Sequence, residues 1–383
     1  DSGYPDKSLA GVGVVFKLIQ ALLEKYGKAS VLRHYIKLVC IGTVADVAEL
    51  KGENRLFVRH GLKGLENVFN TGLKSLIEAC GLGKRKISEG DLGFRIGPRI
   101  NAAGRMGMTD IAVRLFFSES LAEALPLVKQ LEELNAKRQA TEEKIFREAK
   151  AEIERKGLQE RYKCLILGSP DWHRGVLGIV ASRLKDAFHR PVILFAYEED
   201  GLAHGSGRSI PECALIELLD SCRGLFVNYG GHRLAVGCTV GKENMPGFKR
   251  AMNDIADDRI SAEDMKRKIA IDAPLEPASL NSDFMAHFSR LYPFGVGNPK
   301  PVFLTENADV WSEPQKLQGR HLKFWIRRNG RAFEALAWDK GDWAPFIRRG
   351  EKIDLAYSLH ISEYLGEEKV SLSVVDIRKS KRR

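Results

Sequence analysis

Apolar residues recur at helical spacing near the start of the chain, where Val15, Leu18, Ile19 and Leu22 predict a packing helix over 14–26 closed by Gly27. A second apolar run, Tyr35 to Ile41, leads into Gly42-Thr-Val-Ala-Asp46, which sets a carboxylate just past a buried segment. Asp46 with Glu49 has the form of a helix-start capping box, and a carboxylate at the end of a core element also suits a hard metal ion. From Ser120 to Lys156 the pattern becomes one long, heavily charged helix with Leu121, Leu125, Val128 and Leu131 on a face and Ile145, Ala149 and Ile153 further on. Ser120 and Glu123 read as its cap and Gly157 as its stop, while Pro126 is expected to kink it. So polar a helix resembles a connector between domains.

Beyond it the period shortens. Cys164 to Gly168 reads as a buried strand, Gly175 to Phe188 as an amphipathic helix and Pro191 to Tyr197 as a second strand. In the last third, Leu322, Phe324 and Ile326 alternate, as do Phe333, Ala335 and Ala337, then Leu355, Tyr357, Leu359 and Ile361. Asn329-Gly330 between two such runs is a hairpin turn, so this region is an all-β domain of OB-fold size.

Composition narrows the class. With 383 residues, 44% of them hydrophobic, the chain is long enough for two or three cores. Lys+Arg number 60 against 50 Asp+Glu, net +10, a surplus that suits a polyanion and equally describes a solvated basic surface. Cys40, Cys80, Cys164, Cys213, Cys222 and Cys238 are scattered without a CxxC pair, and read as buried thiols of a reducing cytosol. No run has membrane-spanning length and no leader pattern is seen, so a cytoplasmic protein without membrane contact is expected.

Candidate chemistry gathers on glycine-rich basic stretches. Asn228-Tyr-Gly-Gly-His-Arg233 brings Gly230 and Gly231 beside His232, an arrangement that holds phosphate by backbone N–H groups or else forms a plain turn. Gly205-Ser-Gly-Arg-Ser209 adds Ser206 and Arg208. Gly93 to Met106 carries Arg99, Asn101 and Arg105 among glycines, and is expected to be a loop for bidentate phosphate contacts. His173 and Arg174 precede a helix N-terminus, where anions are favoured, although His173 also suits a cap. Three basic loops leaving one α/β unit favour phosphate over the turn reading. In the β domain, Phe324, Trp325, Tyr357 and Tyr364 beside Arg320, Lys323, Arg327 and Arg328 are candidates to stack bases, and each aromatic also suits the inner face of a strand. A basic tail runs Arg378-Lys-Ser-Lys-Arg-Arg383.

Seven motifs in order resemble the RecJ family of single-strand-specific exonucleases in the DHH phosphoesterase superfamily. They are the opening Asp1-Ser-Gly-Tyr-Pro-Asp6 and its continuation, Gly42 to Asp46, Gly97-Pro-Arg-Ile-Asn-Ala-Ala-Gly-Arg105, Trp172-His-Arg-Gly-Val-Leu-Gly-Ile-Val180, Gly205 to Ser209, Gly230-Gly-His232 and Pro293-Phe-Gly-Val-Gly-Asn-Pro299. The resemblance implies an α/β protein. Its parts are the end of a DHH catalytic domain over 1–119, a connecting helix over 120–157, a DHH-associated domain over 158–261 and an OB-fold over 262–383. It implies a 5′-to-3′ exonuclease using Mn²⁺ or Mg²⁺ and releasing 5′-mononucleotides from single-stranded DNA in repair and recombination. A single-strand-binding protein and a helicase are implied as partners.

Residue by residue, it makes Asp46 a metal ligand, gives Arg105, Ser206 and Arg208 to the 5′-phosphate, and puts His232 near the scissile phosphate. The family's Asp-x-Asp, a further aspartate and Asp-His-His are not found, so the two-metal site is expected to be incomplete and this piece to cut little. The region before Ser120 is expected to leave apolar surface exposed. Two rivals remain: a superfamily phosphodiesterase acting on cyclic dinucleotides or nanoRNA, and a non-catalytic single-strand-binding protein.

Overall fold

The computed structural model describes residues 3–83, 85–364 and 367–380, with the side chains of 362–364 and 367–368 left aside. The Tyr364 side chain and the last three residues of the basic tail therefore lie outside the description. The chain forms two compact units, one of Asp1–Asn67, Lys86–Gly93 and Ile269–Arg383, the other of Val68–Arg85 and Phe94–Lys268.

The first unit opens with helices α1 (Gly11–Lys25), α2 (Leu32–Ala45) and α3 (Gly52–Gly64). Gly27 closes α1 at φ 67°, as its sequence predicts. The packed face is not the expected one. Phe16 and Gly13 are buried, with Phe16 edge-on to Phe57, whereas Val14, Val15, Leu18, Leu22 and Tyr26 stand exposed. A helical period fixes which residues share a face but not whether that face finds a partner.

In the second unit, α4 (Thr71–Ala79) packs on the long helix described below. The single turn α5 (Glu89–Asp91), part of the first unit, leads through a π turn over Leu92–Ile96 into α6 (Gly97–Arg105). The loop expected over 93–106 is thus helical. Pro98 sits in the first turn of α6, where its missing N–H costs nothing, and Ala102 and Ala103 are small enough to be fully buried. After α7 (Thr109–Phe117) comes α8 (Leu121–Lys156). Ser120 accepts the Glu123 N–H at 3.3 Å and Gly157 ends the helix at φ 60°, both as expected. The helix runs through Pro126 without a break, because a proline so near the N-terminus displaces a single interior bond and the many turns beyond it hold the phase. Nor is α8 an exposed connector: it buries Ala124, Leu127, Val128, Leu131, Asn135, Arg138, Glu142, Ile145, Ala149 and Ile153 along one seam.

The short helix α9 (Leu158–Arg161) leads into a five-stranded sheet, ordered β1 (Leu165–Ser169), β2 (Val192–Tyr197), β3 (Leu202–Arg208), β5 (Ala235–Gly241), β4 (Asn228–His232). The β1–β2 pair is parallel and joined by α10 (Leu177–Phe188); the remaining pairs are antiparallel. One core joins α8, α10, β1 and β2; the other lies on the opposite face with α11 (Leu215–Ser221) and α12 (Met245–Arg259). The stretches with Ser206 and with Gly230 are strands, where loops were expected. Glycine here answers crowding: a Cβ on Gly205 would lie 2.5 Å from the Phe195 ring, and one on Gly207 would lie 2.6 Å from Val236. Alternation then sends Ser206 and Arg208 to the other face.

After β6 (Ala273–Pro274) and α13 (Ser282–Ser289), the first unit ends in a barrel of β7 (Phe303–Val310), β9 (His321–Arg328), β10 (Arg331–Ala337), β12 (Glu367–Lys379) and β11 (Lys352–Tyr364), with β8 (Gln315–Leu317) beside β9. It closes through a β7–β9 pairing; β10–β12 is parallel, as is the short β6–β7 pair at its edge. Asn329 and Gly330, at φ 48° and 80°, form the predicted two-residue turn. Leu322, Phe324, Ile326, Ala335, Ala337, Leu355, Tyr357 and Leu359 fill the interior. Buried Tyr357 keeps its hydroxyl bonded to Thr305 Oγ1 at 3.0 Å, and burial pushes its pKa up to about 12.

All six cysteines are free and buried. Burial pushes the Cys222 thiol up to about 11 and that of Cys238 up to about 12, so thiolate is scarce near neutral pH. We expect none of the six to react with an aromatic disulfide reagent before unfolding and all six to react after it; a thiol titrating at the rate of free cysteine in the native protein would contradict this packing. Among the described residues, no helix is long and apolar enough to cross a membrane.

Candidate functional site

Strand register assembles the first half of the site. Ser206 on β3 lies opposite Gly237 on β5, which lies opposite Gly230 on β4. Two residues along, Arg208, Ala235 and His232 form the next row on the same face. The glycine motif and the Ser206/Arg208 pair are thus separated by one strand that offers only Ala235 and Gly237 in these rows, a low floor between two sets of donors. Gly230, Gly231, His232 and Gly237 are exposed. Gly231 has φ 143°, and a Cβ there would lie 2.3 Å from the Ala235 carbonyl oxygen, so the strand can take this path only with glycine. At Gly230 a Cβ would meet nothing within 4 Å.

The second half comes from the helical part of the same unit. Arg105, in the last turn of α6, donates from its guanidinium to the Gly175 carbonyl at 3.1 Å. Gly175 approaches so closely that a Cβ would sit 2.2 Å from the Arg105 carbonyl oxygen. His173 caps the turn between them, its Nδ1 accepting the Gly175 N–H at 3.1 Å, so of its two sequence readings the cap is seen, with the ring exposed. The turn delivers the N-terminus of α10 to Arg208: a Cβ on Gly178 would stand 2.7 Å from Arg208 Nη2 and 3.0 Å from Ser206 Oγ. Arg208 itself donates to the Gly207 carbonyl at 2.7 Å and to Ser206 Oγ at 3.4 Å.

Arg105, Arg208, Ser206 and the His173–Gly178 turn therefore converge. Burial lowers the pKa of both guanidinium groups, and the charge of Arg105 lowers that of Arg208 further. Like charges held together in a half-dry site, beside a helix N-terminus, form a field that an anion relieves. A planar guanidinium suits a phosphate bidentately.

Other sequence candidates lie elsewhere. Asn101 is four residues before Arg105 and so on the same face of α6. Arg99 points to α8, paired with Glu132 and donating to the Arg95 carbonyl at 2.8 Å. Asp46, in the first unit, is the exposed C-cap of α2, not an N-cap: no helix begins until Gly52, and Glu49 pairs with Lys51. Val47 follows at φ 58° as Val47 and Ala48 donate back to Val44 and Thr43 at 3.1 and 3.2 Å, an end that usually takes glycine. The Pro293–Pro299 motif clasps the next residues, its Val296 carbonyl accepting the Leu50 N–H at 2.6 Å and Gly297 lying against Glu49 and Lys51.

Divalent ions need several oxygen ligands. Among the described residues the one group of three or more His, Cys, Asp or Glu side chains placed to share an ion is Glu198, Asp200 and His204, and Asp46 is not in it. Glu198 there already pairs with Arg174 at 3.4 Å. Among the described residues, no such group forms around Asp46.

On the barrel, Phe324 and Tyr357 are interior, which leaves Trp325 of the sequence candidates described. It projects outward from β9 between Lys323 and Arg327, with the Lys369 ammonium 5.7 Å from its ring centroid. Trp311, which the sequence reading missed, is 48% exposed and carries Arg327 at 4.5 Å. It lies outside any alternating run, so strand periodicity gave no signal for it. Cation-flanked indoles, Trp325 on β9 and Trp311 just past the end of β7, suit stacked bases.

Comparison with known proteins agrees with this architecture. Residues 161–258 match the family described as the DHHA1 domain, and residues 271–376 match the RecJ OB domain. Over 401 aligned residues the chain is 32% identical to the single-stranded-DNA-specific exonuclease RecJ of Escherichia coli, covering 98% of this chain and 68% of that protein. The chain belongs to the RecJ family. It is also 36% identical to RecJ of Bacillus subtilis, over 97% of this chain and 47% of that protein, so it spans about half the length of that relative. The crystal structure of RecJ from Thermus thermophilus in complex with Mg²⁺ superposes with a TM-score of 0.82 at 35% identity, over 99% of this chain and 57% of that one. The same RecJ in complex with Mn²⁺ gives the same score.

Proposed function

We propose that this chain belongs to a 5′-to-3′ exonuclease specific for single-stranded DNA, releasing 5′-mononucleotides in repair and recombination with Mn²⁺ or Mg²⁺. The observation that carries the reading is the meeting of half-buried Arg105 and Arg208 with Ser206 at the N-terminus of α10, in a chain 32% identical to an exonuclease over 98% of its length. In this reading Arg105, Ser206 and Arg208 grip the 5′-phosphate, aided by the turn at His173. Gly230 and Gly231 let the backbone approach the next phosphate, beside His232, which donates to the oxygen that gains charge. Asn101 orients the same group from α6. On the barrel, Trp325 and Trp311 stack bases of single-stranded DNA.

Asp46 contributes one carboxylate to the metal centre, and the other residues named hold the strand. The domain limits proposed are 1–119, 120–157, 158–261 and 262–383. A cytoplasmic location, a single-strand-binding protein and a helicase complete the proposal, the first supported by six buried free thiols. A second reading, a non-catalytic single-strand-binding protein, draws on Asp46 standing outside any ligand group among the described residues.

Release of mononucleotides from a 5′-phosphorylated single strand with Mn²⁺, by this chain and by the whole protein, separates the two. Digestion by the whole protein alone is expected. If the whole protein binds the strand without shortening it, the nuclease reading is wrong.

A further inference from the structure

The seam of α8 holds a buried polar group apart from the phosphate-gripping side chains. It steps every third or fourth residue from Ala124 through Val128 and Leu131 to Ile145, Ala149 and Ile153, yet its middle is polar: Asn135, Arg138 and Glu142, each at most 8% exposed. Arg138 pairs with Glu142 through Nη1 and donates from Nη2 to Asn135 Oδ1 at 2.8 Å, while its Nε has no partner. Three buried polar side chains in the interior of a helix that packs α6 are costly, and apolar residues would fill the seam more cheaply. They stand within electrostatic reach of Arg105, whose pKa Glu142 raises and Arg138 lowers. Arg105 is therefore in the field of a buried carboxylate, which is a rival to any phosphate.

We propose that Arg138 is a positioning residue that occupies Glu142 and so keeps Arg105 available to a phosphate. The inference rests on the reading of Arg105 and Arg208 as a phosphate grip. The pairing accounts for the geometry: Glu142 is engaged from its own helix one turn away, and Arg105 is directed instead to the Gly175 carbonyl at the site. Without Arg138, Arg105 is a cation within electrostatic reach of the buried carboxylate, and capture by Glu142 withdraws it from the anion.

The test is a double-variant cycle on this chain, read as the affinity ratio for a single strand carrying a 5′-phosphate over the same strand with a 5′-hydroxyl. Arg138→Met is expected to lower the ratio about ten-fold, the scale of one charge-assisted contact, and Arg138→Met with Glu142→Gln to restore it to within about two-fold. Glu142→Gln alone, isosteric and expected to fold, keeps the ratio at or above that of the unaltered chain. A merely structural triad lowers thermal stability in all three variants and leaves the ratio unmoved, which would overturn the proposal. A lower ratio in Glu142→Gln would also overturn it, by making Glu142 a support of Arg105 and not its rival. Arg105→Ala separates the two levels. An unchanged ratio there defeats the phosphate grip itself, whereas a ratio that falls in Arg105→Ala but not in Arg138→Met defeats only the role of Arg138.

Discussion

Arg208→Ala is expected to weaken binding of a 5′-phosphorylated single strand by about 10- to 100-fold, the loss of a charge-assisted contact worth about 1.5–3 kcal/mol. Arg208 is half-buried, already shares its neighbourhood with the charge of Arg105, and lies where the N-terminus of α10 meets β3. In the absence of an anion that arrangement is electrostatically unfavourable, so removing one guanidinium relieves the free protein while depriving the phosphate. Stability should therefore hold or rise while affinity falls. The salt dependence of binding should also flatten by about 0.7 in its logarithmic slope, one phosphate contact on a single strand. Anisotropy titrations at several salt concentrations check both; equal affinity with an unchanged slope would remove Arg208 from the site.

Gly231→Ala is expected to cost about 2–4 kcal/mol of stability, from a methyl forced against backbone and a left-handed φ that alanine avoids. The Ala235 carbonyl oxygen at 2.3 Å and Val236 Cα at 2.7 Å both belong to the paired strand and cannot rotate away as a side chain would. The outcome is loss of the β4–β5 pairing and a fall in melting temperature of about 5 °C or more. Its neighbour provides the contrast. Gly230→Ala meets no atom within 4 Å and should melt like the unaltered chain, so weaker binding of DNA by that variant reports the approach of a ligand and not a damaged fold. Thermal melts of the pair decide this, and equal stability of both variants would show that the strand has another path.

The barrel was legible because its strands alternate strictly and Asn329-Gly330 marks their turn. Glycines misled: beside Ser206 they make room for Phe195 and Val236 within a sheet, and in α6 they accompany alanines that pack on α8, so loops were expected where regular elements form. Composition alone does not distinguish a glycine that bends from one that makes room. Phosphate candidates Arg105, Ser206 and Arg208 were found through their motifs, and register and the Gly175 contact bring them together. The buried charges of α8 were missed because Asn135, Arg138 and Glu142 interrupt the apolar pattern, although they keep its phase. Phase continued through polar residues is a signal that hydrophobicity alone discards.

The most direct test of the site is a crystal structure of this chain with a 5′-phosphorylated trideoxynucleotide. The terminal phosphate is expected between the guanidinium groups of Arg105 and Arg208 and within hydrogen-bond reach of Ser206 Oγ, with the next phosphate over Gly230 and Gly231. A trinucleotide bound only on the barrel beside Trp325, with its 5′-phosphate away from both arginines, would contradict the account.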